Sequence, residues 1–233
     1  MMRSGLFIAF VISSLTTALA GTWRDDFSGG DLREWEMCKG VWMGDLMPGE
    51  GNWRVEGGAV VGGEETPSTW HALSVGKGWS WSNYTAEVRV KLENPLQVWA
   101  AVGLYISPRN GVSSGMEIRN DNGSVCVRGY VYSHPARFSP MGSQKPLEME
   151  TGRWYRLKIS VDEVGNLRCF LDDQLVAQFW GYHEGAPGFF AYQVVAAFDD
   201  FVVTGPGIPD RRPTSGTILQ DKLAATWGEL KGR

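Results

Sequence analysis

Apolar and polar residues alternate at a period of two along much of this chain, which leaves little but antiparallel β-structure as a fold. From Tyr84 to Leu92, Ala86, Val88, Val90 and Leu92 fall on one face, and Thr85, Glu87, Arg89 and Lys91 on the other. From Arg153 to Val161, Tyr155, Leu157, Ile159 and Val161 oppose Trp154, Arg156, Lys158 and Ser160. Half-buried strands read this way because successive side chains point to opposite sides of the pleat. Val164-Gly165-Asn166 and Asp172-Asp173-Gln174 supply turns into two more strands, Leu167 to Leu171 and Leu175 to Phe179. Thirty glycines and eleven prolines punctuate the chain, and no long amphipathic helix precedes residue 215. The pattern predicts an all-β fold, a two-sheet antiparallel β-sandwich.

Both ends depart from the pattern. Met1 and Arg3 make a positive start, Leu6 to Ile12 an apolar stretch, and Ala18-Leu19-Ala20 a small-residue cleavage site. Residues 1–20 read as a secretory signal peptide, too short in its apolar part to span a bilayer. Cleavage would expose Gly21, with no Cys beside it for a lipid anchor. The rest holds no apolar run of about 18 residues, so a soluble, secreted or periplasmic protein without a membrane span is expected. The sandwich is assigned to residues 21–205. Gly205-Pro206-Gly207-Ile208-Pro209 and the following Asp210-Arg211-Arg212-Pro213 read as the core of a Pro/Gly-rich linker over 206–217. In residues 218–233, Leu219, Leu223, Trp227 and Leu230 recur at helical spacing. That predicts a short C-terminal amphipathic helix, folded back on the sandwich or offered to a partner.

Charge narrows the partners. The net charge is −4, or −5 once Arg3 leaves with the signal peptide. No basic footprint for nucleic acid is present, while neutral ligands such as sugars are unaffected. Three cysteines, Cys38, Cys126 and Cys169, are too few for a disulfide framework. Cys126 and Cys169 lie in strand-like apolar runs and read as buried small hydrophobes rather than a bridge. Asn83 and Asn122 begin glycosylation sequons, which matter only in a eukaryotic secretory pathway.

Several segments together carry a family resemblance. They are Trp23-Arg24-Asp25-Asp26-Phe27-Ser28-Gly29-Gly30, Asn52-Trp53-Arg54-Val55-Glu56-Gly57-Gly58, Trp154-Tyr155-Arg156-Leu157-Lys158-Ile159, Leu171-Asp172-Asp173-Gln174-Leu175-Val176 and Ala197-Phe198-Asp199-Asp200-Phe201-Val202-Val203. In this order and spacing the chain resembles the concanavalin A-like lectin/glucanase superfamily, in its laminin-G-like branch. Bacterial members of that branch include 3-keto-disaccharide hydrolase type domains. The resemblance covers roughly residues 22 to 204. It implies a bacterial jelly roll with a concave face that holds carbohydrate in many relatives. Met116 stands where the branch usually has an aromatic residue, and Arg119 where it has Gln.

Alternation then divides the central strands. Val98, Ala100, Val102, Leu104 and Ile106 form one apolar set, opposite Trp99, Ala101, Gly103 and Tyr105. Met116 and Ile118 oppose Glu117 and Arg119. Val125, Val127, Gly129 and Val131 oppose Cys126, Arg128, Tyr130 and Tyr132. With the apolar sets turned inward, Trp99, Tyr105, Glu117, Arg119, Arg128, Tyr130 and Tyr132 are left as a ligand platform. Aromatic planes suit the apolar faces of sugar rings, and Arg or Glu can bond their hydroxyls. The same face also reads as an ordinary solvent-facing sheet with stabilising cross-strand pairs.

Catalysis is left open. The Glu-x-Asp-x-x-Glu strand motif of the jelly-roll glucanases of glycoside hydrolase family 16 is absent. Retaining hydrolysis needs two carboxyls only about 5–5.5 Å apart. Glu117 is the one acid expected on the platform inside a central strand, and so the one catalytic candidate. Asp25-Asp26 and Asp199-Asp200 mark the first and last strands, which lie together in this superfamily. Two carboxylates about 4 Å apart repel by about 4 kcal/mol at an effective dielectric near 20. Asp25 and Asp199 are therefore the expected ligands of a structural calcium ion. The reading of the whole is a secreted carbohydrate-binding, lectin-like domain that does not catalyse. Alternatives are a glycoside hydrolase of the 3-keto-disaccharide hydrolase type and a structural or adhesion module.

Overall fold

The computed structural model describes residues 20–40, 47–48, 51–64, 69–76, 78, 80–107, 112–133 and 137–211. The stretch read as a signal peptide, apart from Ala20, and the tail read as a C-terminal helix lie outside the described residues. In chain order the strands begin with β1 (Ala20–Asp25), β2 (Trp35–Gly40), β3 (Met47–Pro48), β4 (Arg54–Glu56), β5 (Ala59–Gly63) and β6 (Trp70–Val75). There follow β7 (Tyr84–Leu92), β8 (Ala101–Ser107), β9 (Ser113–Asp121), β10 (Ser124–Ser133) and β11 (Arg137–Pro146). The chain continues through β12 (Trp154–Val161), β13 (Asn166–Leu171), β14 (Gln174–Trp180), β15 (Ala186–Tyr192) and β16 (Val195–Pro206). No helix occurs among the described residues.

These strands form two antiparallel sheets packed as a sandwich. The first runs β14-β13-β12-β7-β16-β5-β4, with β1 also paired to β16; the second runs β11-β10-β9-β8-β15-β6-β2-β3. In β7 and β12 buried and half-exposed residues alternate without a break, as the sequence predicts for strands with one wet face. The inward sets of the two sheets meet in one core that includes Val88, Val90, Leu157, Val102, Leu104 and Ile118. At one end that core turns aromatic. Phe189 stacks on Phe198 with ring centroids 4.3 Å apart, and Trp35 meets Phe201 edge-on at 4.9 Å.

The second sheet behaves differently. β6 is buried at every position, and β8 and β15 at all but the last. Its outer face carries a second apolar cluster of Cys38, Trp70, Ala72, Ala101, Tyr105, Tyr130, Tyr132 and Phe190, with Phe138 and Tyr192 packed against it. Strands buried on both sides lose the clean alternation of half-buried ones.

Tight turns fix the registers. Asn122 and Gly123 both have positive φ and join Asp121 to Ser124 in a two-residue hairpin. Asp172 and Asp173 do the same between β13 and β14. Their carboxylates are taken up locally: Asp172 Oδ1 accepts from the Arg156 N–H at 2.8 Å, and Asp173 Oδ1 from Lys158 Nζ at 2.7 Å.

Local geometry refines the alternation at several places. β8 begins only at Ala101; Trp99 lies in the preceding turn with φ 72°, and Val98 is exposed rather than in the core. Trp154 is half-buried on the outer side of the first sheet, with Arg89 and Lys91 4.8 and 5.2 Å from its ring centroid. Its inward neighbour Tyr155 takes the core place. In β16 the register against β7 shifts between Asp199 and Val202, with Asp200 at φ 50°. The extra residue of this bulge lets Phe198 and Phe201 both point inward and separates Asp199 from the face of Phe201. The stretch read as linker begins within the fold: Ile208 is buried, and Arg211 bridges to Trp23 and lies 4.7 Å over its ring.

All three cysteines are buried free thiols. Burial pushes the Cys38 thiol up to about 11 and raises Cys126 and Cys169 as well. The thiolate is the reactive form. Ellman's reagent is therefore expected to find three slow thiols in the native protein and three fast ones in guanidinium. A fast thiol before unfolding would contradict this packing.

Candidate functional site

The outer face of the second sheet takes shape from strand register. The Asn122-Gly123 hairpin places Glu117 of β9 directly opposite Arg128 of β10, and Gly115 opposite Tyr130. On the other side of β9, Glu117 pairs with Gly103 and Gly115 with Tyr105 of β8. β15 then sets Phe190 beside Gly103 and Gly188 beside Tyr105. Bulky and minimal residues thus alternate across neighbouring strands. A Cβ on Gly188 would lie 2.7 Å from Tyr105 Cζ, and one on Gly103 would lie 2.5 Å from Phe190 Cε1. Glycine at both places lets the two rings lie down on the sheet.

Around them the aromatic contacts are continuous. Tyr130 stacks on Phe138 at 5.6 Å and meets Phe190 edge-on at 6.3 Å. Phe190 contacts Trp70 at 4.9 Å, and Trp70 stacks on Tyr192 at 4.4 Å. This packing buries what the sequence presented as an open row. Tyr105 is 1 % exposed and Tyr130 0 %, and Tyr132 and Arg128 are buried too. Trp99, at 46 %, forms the accessible rim, with the Arg119 guanidinium 5.3 Å from its ring centroid.

Charge runs down β9. Glu117 is 0 % exposed, and its Oε1 accepts from Arg128 Nε at 2.8 Å. Arg128 Nη1 also donates to Asp121 Oδ2 at 3.0 Å, and Arg119 Nε donates to Asp121 Oδ1 at 2.6 Å. Two guanidinium groups are thus balanced by two carboxylates. Glu117 Oε2 has no hydrogen-bond partner. Tyr130 Oη and Ser113 Oγ are also buried and unpaired; the two side chains are neighbours, outside hydrogen-bond geometry. Burial raises the Glu117 carboxyl above its usual range, against the pull of Arg128 and Arg119. Burial also drives the Tyr105 and Tyr130 phenols well above theirs.

Six of the seven residues proposed for the platform lie on this face, and Trp99 reaches its edge from a turn. Sequence reasoning missed Ser113 and Asp121, although both share the parity of Glu117. It also missed Phe138, Phe190, Trp70 and Tyr192, which belong to strands never assigned a face.

Asp25 and Asp199 sit apart from this site. β1 does pair with β16, but Asp25 falls opposite Phe201, and Asp199 opposite Arg89 of β7. Asp25 Oδ1 accepts from the Phe27 N–H at 2.9 Å, and Oδ2 from Trp35 Nε1 at 3.0 Å and Arg211 Nη1 at 3.5 Å. Asp199 Oδ1 accepts from the Asp200 N–H at 2.7 Å. Among the described residues no three His, Cys, Asp or Glu side chains group as a metal site.

No family model matches the chain, and no curated protein matches it. Solved structures do. The chain is similar to the carbohydrate-binding module CBM66 from Bacillus subtilis, with TM-score 0.55 and 17% identity, over 73% of this chain and 95% of that one. It is similar to the carbohydrate recognition domain of Emp47p, with TM-score 0.53 and 11% identity, over 80% and 95%. A third likeness is to the GH43 protein BlXynB from Bacillus licheniformis, with TM-score 0.59 and 11% identity, over 78% of this chain and 39% of that one. At these identities the likeness is one of fold, a two-sheet antiparallel β-sandwich.

The Glu117 environment has a consequence for stability. A carboxyl whose folded pKa is raised favours the folded state fully below its unfolded pKa and loses that contribution as pH rises through the folded value. The stability of the wild type relative to Glu117→Gln should therefore fall as the pH rises above 4.5. Urea melts of both proteins across that range would check it; a constant difference would show that Glu117 titrates normally.

Proposed function

We propose that this protein binds carbohydrate, without cleaving it, on the outer face of the second sheet. The observation that carries the reading is an exposed aromatic ring, Trp99, backed by the Arg119 guanidinium at the rim of a face otherwise made of buried rings. Sugars supply hydroxyls together with apolar ring faces, which suit an exposed indole beside a guanidinium. The shared fold with a carbohydrate-binding module and a carbohydrate recognition domain supports the same reading. Trp99, exposed and backed by Arg119, is positioned to stack on the first ring.

A hydrolase reading draws on one observation, the raised carboxyl of Glu117, since a general acid must hold its proton near the working pH. Export to the periplasm or the medium rests on the pattern of residues 1–20. Among the described residues no helix is long and apolar enough to cross a membrane.

Titration of a glycan panel by calorimetry tests the main reading. Trp99→Ala should weaken binding of a positive glycan by about tenfold, the loss of one stacked contact of about 1.4 kcal/mol. A panel with no positive member would end the proposal, and release of sugar from 3-keto-glycosides, abolished in Glu117→Gln, would replace it with the hydrolase. A structural calcium ion at Asp25 and Asp199 is a separate proposal, resting on acidic pairs carried by the adjoining strands β1 and β16. EDTA should then lower the melting temperature; an unmoved transition would remove the ion.

A further inference from the structure

Trp99 holds its exposed place through a backbone conformation that its residue type disfavours. Gln97 to Ala100 form a tight turn, closed by the Ala100 N–H on the Gln97 carbonyl at 2.9 Å, and Trp99 is its third residue, at φ 72°. Glycine takes a positive φ at that position without strain, whereas an L side chain brings its Cβ against the backbone. The ring recovers little of this through core packing, because the residue is 46 % exposed. Glycine would therefore serve the turn better than tryptophan does. The strain persists because one buried residue fixes the turn from several sides. Asn120 of β9 accepts from the Trp99 N–H at 2.7 Å through its carbonyl and donates its own N–H to the Ala100 carbonyl at 3.0 Å. Its side-chain amide donates to the Leu96 carbonyl at 2.8 Å, and its Oδ1 accepts from the Gly123 N–H at 2.8 Å. The turn is thus tied to the Asn122-Gly123 hairpin through a single residue. The two neighbours of Asn120 complete the support: the Arg119 guanidinium lies 5.3 Å from the indole centroid, and Asp121 Oδ1 holds Arg119 Nε at 2.6 Å.

We propose that Asn120 is a positioning residue that holds Trp99 in this strained turn, so that the indole is fixed at the rim before a sugar arrives. The inference rests on the carbohydrate reading above and adds to it the residue that sets the stacking surface in place. Asn120 touches no ligand: it is buried, and acts through the backbone of Leu96, Trp99 and Ala100. A ring already fixed loses little freedom on binding, and affinity gains by that amount. The same strain lowers the stability of the turn, so binding and stability pull in opposite directions at Trp99.

Two measurements on the full chain separate the strain from its use. Trp99→Gly and Trp99→Ala remove the same ring and differ by one Cβ at positive φ. Trp99→Gly should melt about 2–4 °C above Trp99→Ala, against the usual order of these two residues. Equal melting, or a more stable Trp99→Ala, would overturn the strained turn. The second measurement is a double-mutant cycle, read by calorimetry with a glycan from the panel that binds the wild type. Asn120→Ser should weaken binding about three- to tenfold in the wild type, and by less than about twofold in Trp99→Ala. Should Asn120→Ser not fold, the isosteric Asn120→Asp takes its place in the cycle, since it keeps the acceptor for Gly123 and loses the donor for Leu96. Losses that add across the cycle, or no loss in the single variant, would overturn the positioning role, because a residue that merely supports the fold has no reason to lose its effect with the ring. A panel without a binder, beside the melting order expected, would instead remove the carbohydrate reading and leave the strained turn standing.

Discussion

Arg128 reaches across from β10 to Glu117 and along to Asp121, so that one guanidinium ties two strands together on a face that is otherwise aromatic. Much of the second sheet depends on that tie. A carboxylate as deeply buried as Glu117 costs several kcal/mol in desolvation, and breaking such a pair by removing one partner costs about 3–5 kcal/mol. The pair is possible because the Asn122-Gly123 hairpin sets the two residues directly opposite. A one-residue slip would send Glu117 into the core between the sheets and bring Met116 and Ile118 out. Turn, register and ion pair therefore support one another.

The outer face of the first sheet shows what an ordinary solvated surface looks like in the same molecule. There Arg24 and Arg89 meet Asp200, Lys158 meets Asp173, and Lys91 meets Glu93. Trp154 is covered by Arg89 and Lys91, and its neighbours remain partly in water. Exposed pairs of this kind contribute little to stability and leave no polar atom stranded. The second sheet inverts each of these features: its charges are buried, its rings lie flat, and a carboxylate oxygen goes unmet. The contrast sets the buried charges and rings on one side of the sandwich and the solvated pairs on the other.

What the sequence conveyed depended on how wet each strand was. β7 and β12 alternate in composition because one face sees solvent and the other does not, so their bounds and orientation were legible residue by residue. β6, β8 and β15 are buried on both faces, and small or apolar residues at every position erase the signal. The face shared by Tyr105, Glu117, Arg128 and Tyr130 was still readable, since β9 and β10 keep charged residues at every second place. That the face would be closed over by its own rings was not, because Phe190 and Trp70 come from strands distant in the chain. Two local departures from strand geometry defeated parity altogether. Trp99 sits in a turn with positive φ, and the bulge at Asp199 and Asp200 adds a residue to β16. Asn122-Gly123 carried a strong hairpin signal that its reading as a sequon obscured.

The same guanidinium also sets how the carboxyls of β9 stand toward one another. Hydrolysis with retention requires two carboxyls flanking the scissile bond at about 5–5.5 Å, and inversion requires about 6.5–9.5 Å with water held between them. Glu117 and Asp121 are the carboxyls of β9 on this face, with Glu36 of β2 further along it near Tyr105, and what joins the first two is Arg128, bonded to both. Asp121 is further engaged by Arg119. Both carboxyls of this strand are thus held by guanidinium groups, one buried and one shared between two arginines.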